Sequence, residues 1–564
     1  MQHIRLVSYF SCPGRRFLYT RINRQGLETM EKKLPQYFDL DQTAHLDQPV
    51  VTQLTGSLPD WLYGSLYRCG SGIYKMGDTR WSHAFDGLAV IHRWTIHQGK
   101  VTYLSSILDT EQYKKCVKFN RLVGDNFGSS FPDPCKSIFS RLFSYFIPRP
   151  PAKYDNTAVN IVEFGDRIFA LTESTLINEV TLDTLSKKDQ IDVRSFVAVH
   201  IGTAHPHSGE DGTMYYYGTC MAYPRAYNFI RIPPGGVEKE LFKQAEIVAS
   251  AASRWKMNIS YTHSFGMSEN YFIHLEQPVA LNVTKLMTLK IAGNSLEDSI
   301  LSFPGETLNF IVLNKTTGQK VPITYRAPHG FVFHFINCYE EGGFIVCDVC
   351  LYKDGKVIKE LYLESLCNEE QTMESHPHFA RFVLPLSVEE ADIGQDLITL
   401  PDTSATAMVT SRSKQEVVVD LTSDPMFDAS YVMELPRINY SFNGKRYRYF
   451  YATTGFHTNI RKLMKCDVIE KVVHEYTCDE HHIPGEPVFV SRPGAVAEDD
   501  DPVTDNIDDA YSILDVRALE FQGCGTVSHN CPDHRPPIVP SGAGRGNFHG
   551  AGKGDNSTGH EDES

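Results

Sequence analysis

No stretch of the 564-residue chain approaches the roughly 20 apolar residues that a membrane-spanning helix needs, so any contact with a bilayer is expected to be peripheral. Basic charge is also in short supply. Lys and Arg number 54 against 69 Asp and Glu, a formal net charge of -15. This argues against a nucleic acid partner, because phosphate binding needs concentrated Lys and Arg. Cysteine offers no framework either: the thirteen are scattered and odd in number. Cys347 and Cys350 in FIVCDVCLY have CxxC spacing, but no second pair completes a zinc site. Alternation along a strand puts these two on opposite faces. They read as reduced core thiols of an intracellular protein. His474, Cys478, His481 and His482 in HEYTCDEHH have ligand-like spacing but a polar, turn-like setting, which reads as a solvated loop. No nicotinamide, flavin or haem motif is present. The GAGRG and GAGKG near the C-terminus have no strand before them and no helix after, so they are not phosphate loops.

The two ends differ from the body. Residues 1–27 carry Arg5, Arg15, Arg16, Arg21 and Arg24 and no acid before Glu28. That is the composition of a mitochondrial transit peptide, or of a basic tail. We take residues 1–40 as this N-terminal extension, which puts the chain in the mitochondrion or otherwise in the cytoplasm. From Pro532 the text turns Pro-, Gly- and His-rich, a composition that cannot bury a core. Residues 532–564 are set apart as a tail, leaving 41–531 as the body.

In the body, short β-rich runs recur: LAVIHRW, VTYLSSIL, IFALT, MYYYGT, YFIHLEQ, FVFHFIN, FIVCDVCLY, RYRYFYATT and PVFVS. Turn clusters such as SGEDGT, EEGG, KDGK and FNGK separate them. Tight turns with little helix predict an all-β closed architecture. Seven or so four-stranded propeller blades would use the length, and an array of sandwiches would share the pattern. Aromatics, at 11% of the chain, suit strands and a large apolar cavity.

Among 22 histidines, three stand in or beside β-rich runs far apart in sequence: His205 in GTAHPH, His263 in YTHSFGM and His334 in FVFHFIN. A propeller brings the inner strands of successive blades to one axis, and imidazole suits iron, copper, zinc and nickel. Buried histidines are more often simply hydrogen-bonded, so on the residues alone both readings stand. His205 and His207 are two apart, with Pro206 between them, so only one of them need be a ligand.

At these residues the chain resembles the carotenoid cleavage oxygenases, animal branch, over about residues 50–500. The matching segments include GSLPDWLYGSLYRCGSG, HAFDGLAVIHRW, FPDPCKSIFSRLFSYF, TAHPH, HSFGMSENYFIHLEQP, HFINCYEE, ELPRINY and GEPVFVSRPGA. HSFGMSENYFIHLEQP and the KTTGQ near Lys315 look closest to the eccentric, 9′,10′-cleaving enzyme.

The resemblance implies a seven-bladed β-propeller with short helical caps over an axial Fe(2+) bound by four histidines. His205, His263 and His334 fall on the first three ligand positions. The family's fourth lies in a near-terminal Phe-His-Gly, here Phe548-His549-Gly550. A longer run after Pro532 precedes it, which makes His534 the alternative to His549. The resemblance also implies carboxylates at Glu173, Glu434 and Glu486, each holding the outer N–H of a metal-bound imidazole. The implied reaction adds both atoms of O₂ across one double bond of a carotenoid. Alternatives are a retinoid isomerohydrolase of the same fold, or a carotenoid-binding protein that has lost its metal. The substrate is insoluble in water, so a membrane surface is an expected partner. Residues 137–147, with Phe139, Leu142, Phe143 and Phe146, would form an aromatic face with basic flanks, suited to the headgroup region. Cys135 beside them is a candidate for lipidation.

Overall fold

The structure, a computed structural model, describes residues 19–20 and 45–499, except 133–153 and a few positions and short stretches elsewhere in that span. All of these fall in the first of two compact units, Met1–Thr526; the second, Val527–Ser564, lies outside the described residues. So do His534, His549, Cys135, Phe139, Leu142, Phe143 and Phe146.

The β-rich runs are strands of antiparallel sheets that follow one another in chain order. The first sheet pairs Gly64–Ile73, Leu88–His97 and Lys100–Ile107. The second runs through Asn160–Phe164, Arg167–Leu171, Leu176–Val180 and Lys187–Asp192. The third centres on Met214–Cys220 and Ala226–Ile232, the fourth on Tyr271–Glu276 and Leu308–Asn314. The fifth pairs Phe331–Glu341, Phe344–Tyr352 and His378–Pro385. The sixth pairs Glu434–Ile438, Tyr449–Thr453, Lys462–Asp467 and Val472–Thr477. Most strands are buried on both faces. Each fully buried Val, Ile or Phe adds about 1.5–3 kcal/mol, so sheet-on-sheet packing carries the fold.

Hydrogen bonds between the inner edges of neighbouring sheets close the ring. Cys69 Sγ donates to Thr157 O at 2.9 Å, joining the first sheet to the segment that enters the second. Asn160 Nδ2 donates to Ala204 O at 2.8 Å, and Thr203 Oγ1 to His263 O at 2.9 Å. Ser264 Oγ donates to Phe333 O at 2.7 Å, and Asn337 Nδ2 to Phe442 O at 3.1 Å. The extended run 483–490 completes the circuit. Val488 and Val490 pack with Leu66, Trp94 and Tyr103 of the first sheet, and Phe489 packs with Tyr451 and Leu463 of the sixth. Arg68 Nη2 donates to Glu486 O at 2.6 Å. This is a β-propeller, with the six sheets named above around the ring and the run 483–490 in the seventh place. Short helices, Glu111–Phe119 and Val283–Ala292, lie beside the cavity described below.

Three local expectations change. PVFVS is extended but joins no ladder among the described residues. The HEYTC part of HEYTCDEHH is not a solvated loop: Val472–Thr477 forms the outer strand of the sixth sheet, and Cys478 is buried. The polar residues fit because an outermost strand faces solvent on one side. The fifth sheet has three strands rather than four, since the hairpin Thr406–Arg412 and Val417–Thr422 pairs in parallel with Ile323–Ala327 of the fourth. Cys347 and Cys350 do occupy opposite faces, in two different clusters of the core.

Candidate metal centre

His205, His263 and His334 come together. One ring nitrogen from each lies within 4.8 Å of the others, and His205 Nε2 stands 2.8 Å from His263 Nε2. The backbone of each segment departs from a regular strand to achieve this. At His334 the register slips between Val332 and Phe335. On a regular strand neighbouring side chains face opposite ways, but at this bulge Phe333 and His334 both face one cavity. His263 lies in a loop clipped by Ser264, whose hydroxyl also accepts from Phe335 N at 3.2 Å. Three residues on, Gly266 lets the fifth sheet approach: a Cβ there would meet Cys338 Sγ at 2.5 Å. His205 follows the short strand Ile201–Gly202, with its N–H donated to Thr203 Oγ1 at 3.0 Å. His207 turns elsewhere, its ring held by Phe265 O and Tyr440 Oη, so of the two histidines in AHPH only His205 joins the cluster.

Carboxylates orient two of the rings. Glu173 Oε1 lies 2.5 Å from His263 Nδ1, and Glu434 Oε2 lies 2.6 Å from His334 Nδ1. An ionised carboxylate only accepts, so each Nδ1 carries a proton, and each ring in its neutral form turns the Nε2 lone pair toward the cluster. Glu434 also sits at a bulge, between register positions 434 and 437, where Leu435 has φ 52°. A left-handed leucine costs about 1–2 kcal/mol, and Leu435 N–H donates to Glu434 Oε2 at 2.6 Å. Burial and the two facing imidazoles hold His205 well below its ordinary pKa, leaving it neutral. Burial also presses His334 down, but Glu434 outweighs it and raises the pKa. Glu434 is lowered in return: burial raises it, and His334 more than offsets this.

Glu486 lines the same cavity, but its carboxylate grips Arg437: Nε to Oε1 is 2.8 Å and Nη2 to Oε2 is 2.9 Å. Two tyrosines absent from the sequence reading complete the setting. Tyr261 Oη donates to Glu173 Oε1 at 3.0 Å, and Tyr352 Oη to Glu434 Oε1 at 2.9 Å. Tyr261 stands two residues before His263, a spacing that could have signalled it.

The three imidazoles suit a metal ion. With metal–nitrogen bonds of about 2.0–2.1 Å, two nitrogens on one ion stand no more than roughly 4.2 Å apart, close to the observed spread. The cluster opens on a cavity of about 1690 Å³ lined by Phe85, Phe127, Tyr261 and Phe333 among others. That exceeds the roughly 300–1,000 Å³ of ordinary small-molecule pockets.

Comparison with known proteins agrees with this architecture. The chain is 37% identical over 465 residues to the mitochondrial carotenoid-cleaving dioxygenase of Mustela putorius furo, covering 80% of this chain and 85% of that one. It is 37% identical over 467 residues to human beta,beta-carotene 15,15′-dioxygenase, covering 80% and 84%. Cobalt-substituted apocarotenoid oxygenase from Synechocystis superposes with a TM-score of 0.63 at 21% identity, covering 83% of this chain and 88% of that one. The sequence model of the retinal pigment epithelial membrane protein (RPE65) family matches residues 40–505, and the chain belongs to that family.

Proposed function

We propose that the protein is an iron(II)-dependent dioxygenase that cleaves a carbon–carbon double bond of a carotenoid, at the eccentric 9′,10′ position. The observation that carries this reading is the three-imidazole cluster in the wall of a large aromatic cavity. The relatives named as carotenoid dioxygenases support it. His205, His263 and His334 would each give Nε2 to the iron, with His549, or His534, as the fourth ligand. Neutral imidazoles leave the ion its full charge, which Glu173 and Glu434 offset one bond further out. Glu486 adds a third negative charge, shared with Arg437. Iron(II), when bound, supplies O₂ binding and activation, and the polyene supplies the electrons.

The protein's own contribution is placement. Phe85, Phe127, Tyr261 and Phe333 offer flat apolar faces to a conjugated rod, hold one double bond beside the cluster and exclude water. The reaction balances as one C=C plus O₂ giving two C=O, with no outside reductant. Product analysis tests it. With β-carotene and O₂, eccentric cleavage yields one long apocarotenal and one short ketone in equal amounts. A single C20 aldehyde would move the bond to the centre, and no O₂-dependent product would defeat the reading.

The cavity mouth supports a membrane surface as the source of substrate. Met221, Ala222, Leu286 and Met287 line it. Met287 is 80% exposed, Tyr223, next to Ala222, is 79% exposed, and Met257, at 54%, accepts on its carbonyl from the N–H of Val283 at the start of the helix at 3.1 Å. Lys285 and Lys256 add basic charge next to these residues. Such a rim suits the headgroup region, and we place the segment 137–147 in the same role. Met287→Glu is expected to cut co-sedimentation with anionic liposomes several-fold. Unchanged sedimentation would remove this helix from the contact. The Arg-rich residues 1–27 and the mitochondrial names of relatives support a mitochondrial location.

A further inference from the structure

The hydrogen-bond chain behind His334 does not stop at its glutamate. Glu434 takes His334 Nδ1 on Oε2 and the Tyr352 hydroxyl on Oε1. Tyr352 Oη in turn stands 3.1 Å from His457 Nε2. The phenol has one proton and gives it to Glu434, so its oxygen can only accept from the other side. With the phenol proton on Glu434, the His457 tautomer protonated at Nε2 donates to Tyr352 Oη. The result is a one-directional chain from His457 through Tyr352 and Glu434 to the ring of His334.

We propose that His457 is a positioning residue of the metal centre, acting through Tyr352 and Glu434 to fix the orientation of His334. The proposal rests on the reading of the three histidines as metal ligands. Two features argue that the chain is built for this. The first is the turn that carries His457. Its N–H donates to Thr454 O at 3.1 Å, Gly455 has φ 50°, and Gly455 N donates to Thr453 Oγ1 at 3.1 Å. The turn sends an imidazole into a buried position against Tyr352, ring centroids 5.6 Å apart. Tyr352 itself is wedged edge-on against Phe333, the neighbour of His334, at 5.8 Å. Burial holds His457 down to about 4, so it is neutral and carries a single ring proton at pH 7.

The second feature is the contrast with the other arm. There Tyr261 and His263 share the single oxygen Oε1 of Glu173. Glu434 instead engages both oxygens, and the Leu435 N–H adds a third donor. A carboxylate fixed at both oxygens cannot rotate about its last bond without breaking a bond to Tyr352 or Leu435. His334, standing on a bulge rather than in a regular ladder, depends on that fixity more than a residue on a straight strand would.

The test is cobalt(II) titration of the full-length, metal-free protein, followed by visible absorption, in the parent and in His457→Ala, His457→Gln and Tyr352→Phe. Loss of an outer-shell partner typically weakens metal affinity about 10–100-fold. His457→Ala and Tyr352→Phe are each expected to raise the cobalt Kd about tenfold. Combined, they should cost little more than either alone, because both cut one chain. Glutamine offers an amide donor in place of Nε2, so His457→Gln should stay within about twofold of the parent. Thermal midpoints should remain close to the parent's. If His457→Ala fails to fold, Tyr352→Phe decides, since it removes one oxygen and keeps the ring. Parent-like cobalt affinity in the folded variants overturns the proposal and leaves the metal centre standing. A parent that binds no cobalt defeats the metal reading, and this proposal with it.

Discussion

His263→Ala is expected to remove both metal binding and carotenoid cleavage. His263 faces both other imidazoles, with ring centroids 4.4 Å from His205 and 4.9 Å from His334, so its loss leaves two nitrogens that no longer surround a point. Losing an outer-shell partner costs roughly 10–100-fold in affinity or activity, and losing a ligand must cost more. Activity is expected to fall by at least about a thousandfold, with iron below a tenth of the parent's. Glu173→Gln is the graded control. It keeps the shape and an accepting oxygen but removes the charge, so a loss of about 10–100-fold is expected. Metal analysis and turnover on the same samples check both. A His263→Ala protein that retains iron and a tenth of the activity would show that the centre lies elsewhere.

Asp348→Ala should give the largest loss of stability of any single substitution considered. Asp348 is 0% exposed and accepts from Arg381 Nε and Nη2, each at 2.8 Å, and from Tyr447 Oη at 2.7 Å. Arg381 is itself only 8% exposed. Its charge is paired directly across the ladder, where Asp348 faces Arg381. Removing one partner of a buried pair costs about 3–5 kcal/mol, because the other charge is stranded away from water. Breaking the exposed Lys462–Glu475 pair should cost under about 1 kcal/mol. Urea unfolding followed by fluorescence compares the two. Equal midpoints would mean that Arg381 finds another partner or water. The site should feel the first change, since Asp348 also pairs in register with Asn337, three residues from His334.

The sequence carried much of this and missed identifiable parts. The strands were legible because alternation and turn residues are local: LAVIHRW lies within Leu88–His97 and FIVCDVCLY forms Phe344–Tyr352. Local pattern could not show that PVFVS would join no ladder among the described residues, since pairing depends on a partner strand distant in the chain. It also missed the parallel seam inside the fourth sheet, between Ile323–Ala327 and Val417–Thr422, which joins residues about 94 positions apart, such as Arg326 and Asp420. The three clustered histidines were not separable from 22 candidates by composition. The resemblance singled them out, and their meeting depends on two features with no sequence signature, the bulge at Val332–Phe335 and the close approach at Gly266. Glu173 and Glu434 were expected as partners, although which histidine each served was not. Arg437 was missed because an arginine beside an apolar strand reads as surface until its partner Glu486, 49 residues away, folds next to it. Tyr352 and His457 were missed for the same reason.

The central claim, that the histidine cluster holds the iron of a dioxygenase, is tested most directly by measuring iron and O₂ uptake together on the purified full-length chain with β-carotene. About one iron per chain is expected, and one O₂ consumed for each double bond cleaved, with both quantities lost in His263→Ala. A folded protein that carries no iron and consumes no O₂, or one that cleaves carotene equally well without its metal, would contradict it.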